Sequence, residues 1–470
     1  MKKSELVVYK FGGTSVKSFV AMSEVARIIA GRKHNNRIVL TSALSGVTDS
    51  LTKIIASIHK QDRAALEKWL VDIEQRHDQL LADLKSNGEL DQVHLSLYKK
   101  IRASLRPQIE KIFADGMTPS RGDIILSFGE RLSAALLTMV FKQQGMHAVF
   151  VESKKIVKTN NDYGSAQPDI AATKAAADLI LRPLLADNCV IILQGFIGQS
   201  PSGKVTTLGR GGSDFSATIV GAAIGADRVE IWTDVDGVMT CDPRVVAHAQ
   251  SLNKLNFAEA SELAYFGAKV LHPSTLLPAM VDNIPVAVKN TKRPHAQGTV
   301  ILPELKDEQF SGVKSIAFKR SITVINIISA RMLMAHGFLR EVFAIFDRHK
   351  TPVDLVTTSE VSVSVTIDND SRIANIQAEL EAIGEVQILQ KQTIVSLVGS
   401  GIRNHPGVLS RTFTAIKDVN ITMISLGASK NNLSFVVHEL QLEEVVRCLH
   451  RTFFEDIMTE EKGAEATACV

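Results

Sequence analysis

A lysine precedes a pair of glycines near the start of the chain, in the stretch KFGGTS at residues 10–15. In the common phosphate-binding loop the lysine follows the glycines, so this order differs from that motif. Glycines after a strand let backbone N–H groups approach phosphate oxygens, and a helix that begins after Thr14 and Ser15 would add its positive dipole end. Lys10 would then offset the charge that develops on a transferring phosphoryl group.

A second glycine-rich stretch, TTLGRGGSDFSA at residues 206–217, places Arg210 and Asp214 around two glycines at a predicted strand-to-helix junction. Arginine is suited to a bidentate grip on a carboxylate. Asp214 would cap the helix, or it would orient a lysine or a substrate ammonium. Glu130, in SFGERLSAALL, is predicted at a helix start, where a carboxylate is either a partner of the helix dipole or a ligand for a substrate amine.

Four polar, glycine-rich turns follow predicted strands, namely KFGGTS, TSALSGVTD, GRGGSDFS and WTDVDGVMTCDPR. Any single turn is explained by tight-turn chemistry, and this is the default for Asp234 and Asp242 in the last one. Ligands of parallel α/β sheets gather where such turns converge, at the carboxyl ends of the strands. The four turns together therefore predict a nucleotide site. No H-E-x-x-H or G-x-S-x-G element is present, which removes support from hydrolases.

The elements that must position these turns alternate between short apolar strands and helical patterns through the first 300 residues. Strands are predicted in the stretches ELVVYK, NRIVLTSA, HAVFVES, CVIILQGFIG, RVEIWTDV and IPVAVKN. Continuously apolar strands separated by helices predict an α/β sandwich with a mainly parallel sheet. The charged stretch at about 50–117 has leucines at helical spacing and is predicted to be a helical insertion, a hairpin.

Composition excludes several classes of protein. The chain has 470 residues and a formal net charge of +3, which gives no general drive toward nucleic acid or an anionic membrane. Its four cysteines are scattered without a C-x-x-C pair, as in a cytoplasmic protein with reduced thiols. We expect no segment with the roughly 20 apolar residues that a membrane-spanning helix needs.

An internal repeat follows a polar seam near residue 300. Residues 323–367 and 393–437 align without a gap at an offset of 70, so that Thr323 matches Thr393 and Gly337 matches Gly407. Each copy is predicted as a strand, a helix begun at glycine, two strands and a closing helix. This order predicts a small antiparallel sheet with helices on one face, the ferredoxin-like plan.

On these motifs the sequence resembles the aspartokinases of the amino acid kinase family over essentially its whole length. KFGGTS, TLGRGGSDFSA, IWTDVDGVMTCDPR, FGAKVLHPSTLLPA and VDLVTTSEVSVS carry the resemblance, and the monofunctional, lysine-inhibited class is the most similar. The resemblance implies a catalytic domain at 1–300, with the insertion at about 50–117. Two ACT domains would occupy 313–390 and 391–458, with their interleaving left open, before a flexible tail at 459–470. The implied reaction converts ATP and L-aspartate to 4-phospho-L-aspartate and ADP with Mg²⁺.

The resemblance also implies residue roles. Lys10 and Asp214 would be catalytic, with Lys10 on the phosphoryl group and Asp214 organising the lysines. The substrate would contact Thr48, Glu130 (amino group), Arg210 (α-carboxylate), Gly211, Gly212 and Ser213. The nucleotide would contact Lys10, Gly12, Gly13, Thr14, Ser15, Thr233, Asp234, Met239, Arg244 and Lys269. No protein residue is implied as a metal ligand. Some relatives have a tyrosine where this chain has Met239.

For regulation, the resemblance implies an amino-acid effector, lysine, between ACT domains of two chains. The matching positions are Met332, Gly337, Phe338, Leu339, Val353, Asp354, Thr358, Ser359 and Glu360. Asp354 would pair with the effector ammonium, or it would cap a turn. Met334 stands where the lysine-inhibited class has histidine, so the identity of the effector remains open. A homodimer through the ACT domains is expected, a tetramer is left open, and the location is expected to be cytoplasmic.

Two rival interpretations remain. One is an amino acid kinase for glutamate or acetylglutamate, against which the doubled repeat and the complete GRGGSD stretch count. The other is an amino-acid sensor whose kinase domain has lost activity, against which Lys10, Arg210, Asp214 and Lys269 count.

Overall fold

In the computed structural model, the described residues are 5–32, 36–267, 271–305, 312–332 and 336–456. The chain divides into two compact units. The first comprises Met1–Val238, Asn253–Phe257 and Val270–Leu305, and the second comprises Met239–Leu252, Ala258–Lys269 and Lys306–Val470. Two segments inside the predicted catalytic domain of 1–300 therefore cluster with the C-terminal part of the chain.

The first unit contains a mainly parallel sheet, as its apolar strands predicted. Its strands are β1 Leu6–Phe11, β2 Asn36–Thr41, β3 Ala148–Phe150, β4 Val190–Gln194, β7 Arg228–Thr233, β8 Lys254–Asn256, β9 Val286–Asn290 and β10 Thr299–Leu302, in the order β3-β4-β2-β1-β7-β9-β10-β8. Only the pairing of β10 with β9 is antiparallel among these strands. A separate hairpin consists of β5 Ile197–Gln199 and β6 Val205–Thr207.

Helices cover this sheet. The helices of the first unit are α1 Phe19–Ala30, α2 Val47–His59, α3 Arg63–Ser86, α4 Gln92–Asp115, α5 Pro119–Gln143, α6 Ser153–Ile156, α7 Ile170–Ala186, α8 Gly212–Ile224 and α10 Pro273–Val281, whereas α9 Phe257–Tyr265 lies almost entirely in the second unit. In the stretch predicted as a helical insertion, α3 and α4 each have 24 residues and run antiparallel. Arg106 and Arg102 of α4 both bind Glu74 of α3 across this hairpin.

Helix α5 is the buried centre of the first unit. Glu130 lies in its middle, so the prediction that this residue stands at a helix start is wrong. Gly129 does not break the helix. A Cβ atom there would lie 2.7 Å from the Cβ of Ala43, and the glycine therefore permits close packing.

The expectation that no segment is long and apolar enough to span a membrane is also wrong for α5, which passes that test by length and composition. However, 83% of its 18-residue apolar window is buried inside the protein. The core helix of an α/β domain has this pattern, because sheet and helices pack around it.

The second unit contains one antiparallel six-stranded sheet. Its strands are β11 Ser315–Ile328, β12 Val356–Thr358, β13 Ser362–Ile367, β14 Glu385–Val398, β15 Met423–Leu426 and β16 Asn432–His438, in the order β12-β13-β11-β14-β16-β15. Its further helices are α11 Phe338–Arg348, α12 Ile373–Glu381, α13 Val408–Ala415 and α14 Leu442–His450. The strands and helices follow the predicted order in both copies of the repeat.

The two central strands of this sheet are bent at equivalent positions. Ser321 in β11 and Lys391 in β14 have φ angles of +58° and +57°, and they stand 70 residues apart. Before its bend β11 pairs with the end of β14, and after its bend it pairs with the start of β14. The two copies of the repeat therefore share an unusual backbone conformation at equivalent positions, which the alignment of the two copies does not predict.

A buried carboxylate on α5 holds the hairpin strand β6 in place. The two Asp123 oxygens accept hydrogen bonds from the Thr207 hydroxyl at 2.7 Å, the Thr207 amide at 2.9 Å and the Gly164 amide at 3.0 Å. Burial raises the pKa of Asp123, while these three donors lower it. The contacts position the chain just before the loop that contains Arg210.

Replacing this carboxylate should destabilise the first unit. We expect Asp123→Ala to lower the free energy of unfolding by about 2 kcal/mol, because buried N–H groups and a hydroxyl lose their acceptor. Urea unfolding followed by circular dichroism measures the change. The control is Asp115→Ala, which removes an exposed carboxylate paired with Arg121 and should cost less than about 1 kcal/mol. Equal losses in the two variants would contradict the role of Asp123.

Candidate active site

Lys10 and Asp214 form an ion pair at the carboxyl ends of the parallel strands. The lysine lies near the end of β1, and the aspartate lies in the first turn of α8. The Nζ of Lys10 is 2.5 Å from the Oδ1 of Asp214, and the lysine is only 7% exposed. The structure thus brings together the two residues predicted to be catalytic. The short contact with the carboxylate fixes the position of the Lys10 side chain.

Glu130 is the second buried carboxylate near Lys10. It is 3% exposed, and its Oε2 has no hydrogen-bond partner among the described residues. Burial raises the pKa of Glu130 to about 7, although the amide of Ala43, the charge of Lys10 and the hydroxyl of Ser213 favour ionisation. A buried carboxylate oxygen without a donor is costly. It is therefore well suited to accept a hydrogen bond from a bound cationic group.

The glycine loops allow the strand ends to approach closely. A Cβ atom on Gly195, which follows β4, would lie 2.6 Å from the Cβ of Ser213. Gly211 has a φ of +71°, and a Cβ there would lie 2.6 Å from the Cβ of His272. Only glycine fits both positions without a shift of the neighbouring chain. The N-terminus of α8 can consequently lie directly against the end of β4.

Phe196, between Gly195 and β5, has a φ of +70°, which is rare for an aromatic residue. Its amide donates a 2.7 Å hydrogen bond to the hydroxyl of Ser216 on α8. A strained conformation of this kind persists only where surrounding contacts hold it, and such positions often lie beside functional sites.

The KFGGTS segment forms a 3-10 turn, Gly13–Val16, after β1. The Gly12 amide donates to the Trp232 carbonyl at 3.1 Å, and the Ser15 hydroxyl lies 2.7 Å from the Thr291 hydroxyl. Thr291 in turn donates its amide to the Thr233 carbonyl at 2.8 Å. These bonds join the carboxyl ends of β1, β7 and β9 into one rim. Thr14 is exposed on this rim.

Of the remaining residues predicted for the substrate, Arg210 and Thr48 are exposed, whereas Gly212 is buried. Arg210 is exposed in the loop before α8, and it forms no ion pair with any residue that the structure describes. Its charge contributes to the lowered pKa of His272, for which burial is the larger cause. Thr48 is exposed in the first turn of α2. Gly212 and Ser213 begin α8.

The predicted nucleotide residues divide between the two units. Thr233 ends β7 in the first unit, and Asp234 follows it, exposed to solvent. Met239 and Arg244 belong to the second unit, where Arg244 pairs with Asp242 at 2.5 Å. Lys269 lies outside the described residues, as does Met334.

The predicted effector positions lie on the first repeat copy, in the second unit. Gly337 caps α11 with a φ of +90°, Phe338 is buried, and Leu339 is 40% exposed. The other positions form two groups. Met332 and Val353 pack against the apolar core of this copy, and Thr358, Ser359 and Glu360 are exposed at the turn after β12.

Asp354 is the one effector position already bound to a cation of the same unit. The Nζ of Lys319 lies 2.8 Å and 2.9 Å from its two oxygens, and the Tyr265 hydroxyl donates to one of them at 2.9 Å. Lys319 also pairs with Asp368 at 2.7 Å. The predicted alternatives for Asp354 were an effector ammonium or a turn cap. An ammonium from β11 is the partner found here.

Sequence reasoning missed several residues that shape the candidate site, namely Ala43, Gly195, Phe196, Thr291 and Asn290. The LQGFIG stretch offered a signal, because a glycine at the end of a buried strand often marks close approach of another backbone. It was interpreted only as a strand. The amide of Asn290 donates to Asp236 at 2.7 Å, and no pattern in the sequence indicated this pair.

Comparisons with known proteins agree with the geometry. The model of the amino acid kinase family matches residues 5–290, and a model of the ACT domain matches residues 395–453. Lysine-sensitive aspartokinase 3 of Escherichia coli K12 is 38% identical over 472 residues, covering 96% of this chain and 100% of that protein. Chloroplastic aspartokinase 1 of Arabidopsis thaliana is 36% identical, with coverages of 97% and 81%.

Solved structures show the same similarity. The structure of E. coli aspartokinase III in complex with aspartate and ADP has a TM-score of 0.85 at 37% identity, covering 96% of this chain and 100% of that chain. The complex of the same enzyme with lysine and aspartate has a TM-score of 0.80 at 38% identity, with the same coverages.

The raised pKa of Glu130 predicts a pH-dependent stability. The folded protein holds this proton up to about pH 7, whereas the carboxyl ordinarily loses it near pH 4.5. Between these values the folded state binds more protons, so the protein loses stability as pH rises, by on the order of 3 kcal/mol in total. Melting temperatures of the wild type and Glu130→Gln across pH 4.5–8 measure this loss.

The melting temperature of the wild type should fall relative to that of Glu130→Gln as the pH rises from 4.5 to about 7. The control variant Glu89→Gln changes an exposed carboxylate and should follow the wild type at every pH. Parallel curves for the wild type and Glu130→Gln would show that Glu130 does not titrate in this range.

Proposed function

The chain belongs to the aspartokinases of the amino acid kinase family, and we propose that Lys10, Glu130 and Arg210 perform its phosphoryl transfer from ATP to L-aspartate. The products are 4-phospho-L-aspartate and ADP. The observation that carries this assignment is the unpartnered, buried Glu130 oxygen beside a lysine that is itself held by Asp214. The E. coli relative solved with aspartate and ADP supports it.

The chemistry requires alignment more than acid–base assistance. The nucleophile is the side-chain carboxylate of aspartate, which is already ionised at neutral pH, so no general base is needed. Phosphoryl transfer then depends on positioning and on offsetting negative charge. Lys10 supplies a cation that Asp214 holds in place. Asp214 therefore acts as a positioning residue for Lys10.

Substrate recognition divides between a buried anion and an exposed cation. The Oε2 of Glu130 would accept a hydrogen bond from the substrate ammonium, replacing the donor that it lacks. Arg210 would bind the α-carboxylate, because its planar guanidinium matches a carboxylate in two parallel bonds. Thr48 and the backbone amides of Gly211, Gly212 and Ser213 would complete the substrate pocket.

The nucleotide would lie along the rim formed by the carboxyl ends of β1 and β7. Gly12, Gly13, Thr14 and Ser15 would offer backbone amides and hydroxyls to its phosphates. Thr233 and Asp234 stand at the end of β7. The roles of Met239, Arg244 and Lys269 remain predictions from the resemblance.

Mg²⁺ is proposed as the companion of ATP. Within the described ranges no group of three or more His, Cys, Asp or Glu side chains could hold a metal ion. A magnesium ion that accompanies ATP takes most of its ligands from nucleotide phosphates and water. When bound, the ion would neutralise phosphate charge.

Regulation is proposed to use an amino acid, lysine, at the first ACT domain. The E. coli relative is named for lysine sensitivity and was also solved with lysine and aspartate. At Asp354, an effector ammonium would have to displace or share the bonds that Lys319 now makes. The other predicted effector positions remain proposals.

A homodimer is proposed through the ACT domains. Strands β12 and β15 are the edges of the six-stranded sheet, and such edges need cover. Leu339 and Leu409 are about equally exposed, at 40% and 42%, and they are equivalent in the repeat. A tetramer remains open, and the cytoplasmic location remains a prediction.

The direct test is trapping of the acyl phosphate. Incubation with ATP, Mg²⁺, L-aspartate and hydroxylamine should yield aspartyl hydroxamate. We expect Lys10→Met to lower kcat by about 10²–10³-fold, because one charge-stabilising group at the transferring phosphoryl is lost. The control is Lys17→Met, which removes an exposed lysine just after the 3-10 turn and should retain wild-type turnover. Product from glutamate or acetylglutamate but not aspartate would favour a different amino acid kinase.

The competition at Asp354 gives a separate prediction for regulation. Lys319→Met should lower the lysine concentration for half-inhibition by about tenfold, the scale of one net charged hydrogen bond of ~1.5 kcal/mol. The melting temperature should also fall, because the buried Asp354 carboxylate loses its cation. Steady-state rates with increasing lysine measure the shift.

Arg320→Met is the matched control. Arg320 is exposed, and its ion pairs with Glu439 and Glu443 are loose, at 3.9 Å and 3.7 Å. It should leave both the inhibition and the melting temperature near wild type. Unchanged lysine sensitivity in a folded Lys319→Met enzyme would exclude Asp354 as the acceptor of the effector ammonium.

A further inference from the structure

A cavity of about 590 Å³ lies beside the edge strand β3, in the first unit. Its walls come from α4, α5, β3, α6 and α7. Leu97, Phe150 and Ile180 supply apolar surface, and Lys100, Arg131 and Lys155 bring positive charge. None of these side chains belongs to the proposed active site. Cavities of this volume that combine apolar walls with a few charged groups are the usual form of small-molecule sites.

Arg131 is the unusual group in this cavity. Its guanidinium lies 5.2 Å from the centre of the Phe128 ring, and it forms no hydrogen bond or ion pair with any residue that the structure describes. Burial lowers the pKa of Arg131, while the nearby charge of Glu152 raises it. Glu152 pairs instead with Lys154 at 3.6 Å. Arg131 is therefore a partly buried cation that lines the cavity without an anionic partner in contact with it.

We propose that this cavity binds a small organic anion with an apolar body. The carboxylate or phosphate head would pair with Arg131 in two parallel hydrogen bonds, while Lys100 and Lys155 add favourable charge. The body would lie against Leu97, Phe150 and Ile180. The head would supply the partner that Arg131 lacks, and the body would cover apolar surface that otherwise meets water.

The charge balance of the lining favours an anion over a zwitterion or a cation. Three cationic side chains and one carboxylate line the cavity, and the carboxylate already has Lys154 beside it. Ser104 and Gln108 offer neutral polar contacts. They would bind the oxygens of the carboxylate or phosphate head that Arg131 does not contact. A bound cation would face net repulsion from the same lining.

Isothermal titration of the full chain tests the proposal, with ADP and L-aspartate present to fill the catalytic site. The ligands are 4-methyl-2-oxopentanoate, phenyl phosphate and inorganic phosphate. We expect saturable binding of one or both organic anions, and at least tenfold weaker binding of inorganic phosphate, which has no apolar body. The stronger of the two organic anions identifies the head as carboxylate or phosphate.

Variants locate the binding. Arg131→Met should weaken the organic anion at least tenfold. Ser104→Phe, which keeps every charge, should weaken binding at least tenfold by obstructing part of the cavity. Lys100→Gln should weaken binding several-fold, whereas Lys99→Gln, the exposed neighbour outside the lining, should leave it unchanged.

The proposal is overturned if neither organic anion binds the wild type at concentrations up to about 10 mM, an affinity weaker than about −3 kcal/mol. It is also overturned if Arg131→Met and Ser104→Phe both bind like the wild type. Equal affinities for inorganic phosphate and phenyl phosphate would contradict the proposal that the apolar body of the ligand contributes to binding. Hydroxamate formation in the same variants reports separately on the kinase.

Discussion

The first unit depends on placing a lysine and two carboxyl groups together at the end of one sheet. Lys10 pairs with Asp214 directly, and burial raises the pKa of Glu130 to about 7, so that this carboxyl is about half ionised at neutral pH. Such a cluster is stable only when its members are fixed by neighbouring elements. Glycine at 195 and 211 contributes to this fixation, since it lets β4, α8 and the start of α10 approach one another closely.

One helix connects this cluster to the rest of the first unit. Asp123, Glu130 and Arg131 all lie on α5, and they face three different surroundings: the strand β6, the charge cluster and the cavity beside β3. Residues one apart on a helix point about 100° apart, so adjacent positions can serve separate sites. A displacement of α5 would be felt at all three places because a close-packed interior transmits strain.

The sequence predicted the parallel sheet and the repeat because both depend on local pattern. Buried strands are continuously apolar, and the two glycines after Lys10 indicated that this lysine stands near the end of a strand. Glu130 was misplaced because Gly129 suggested a break, whereas the glycine serves packing against Ala43. The partner of Asp354 was not predictable, since Lys319 reaches it from another strand. Polar pairs between distant positions produce no periodic pattern in the sequence. The positive φ of Phe196 produces none either.

The bends at Ser321 and Lys391 have a consequence for how the second unit can evolve. Each long strand contributes one half to the first repeat copy and the other half to the second, so each copy borrows a central segment from its neighbour. Separating the two copies would leave unpaired backbone on β11 and β14, which pair with each other on both sides of the bends. We therefore expect the two copies to fold, and to be exchanged between proteins, only as a pair.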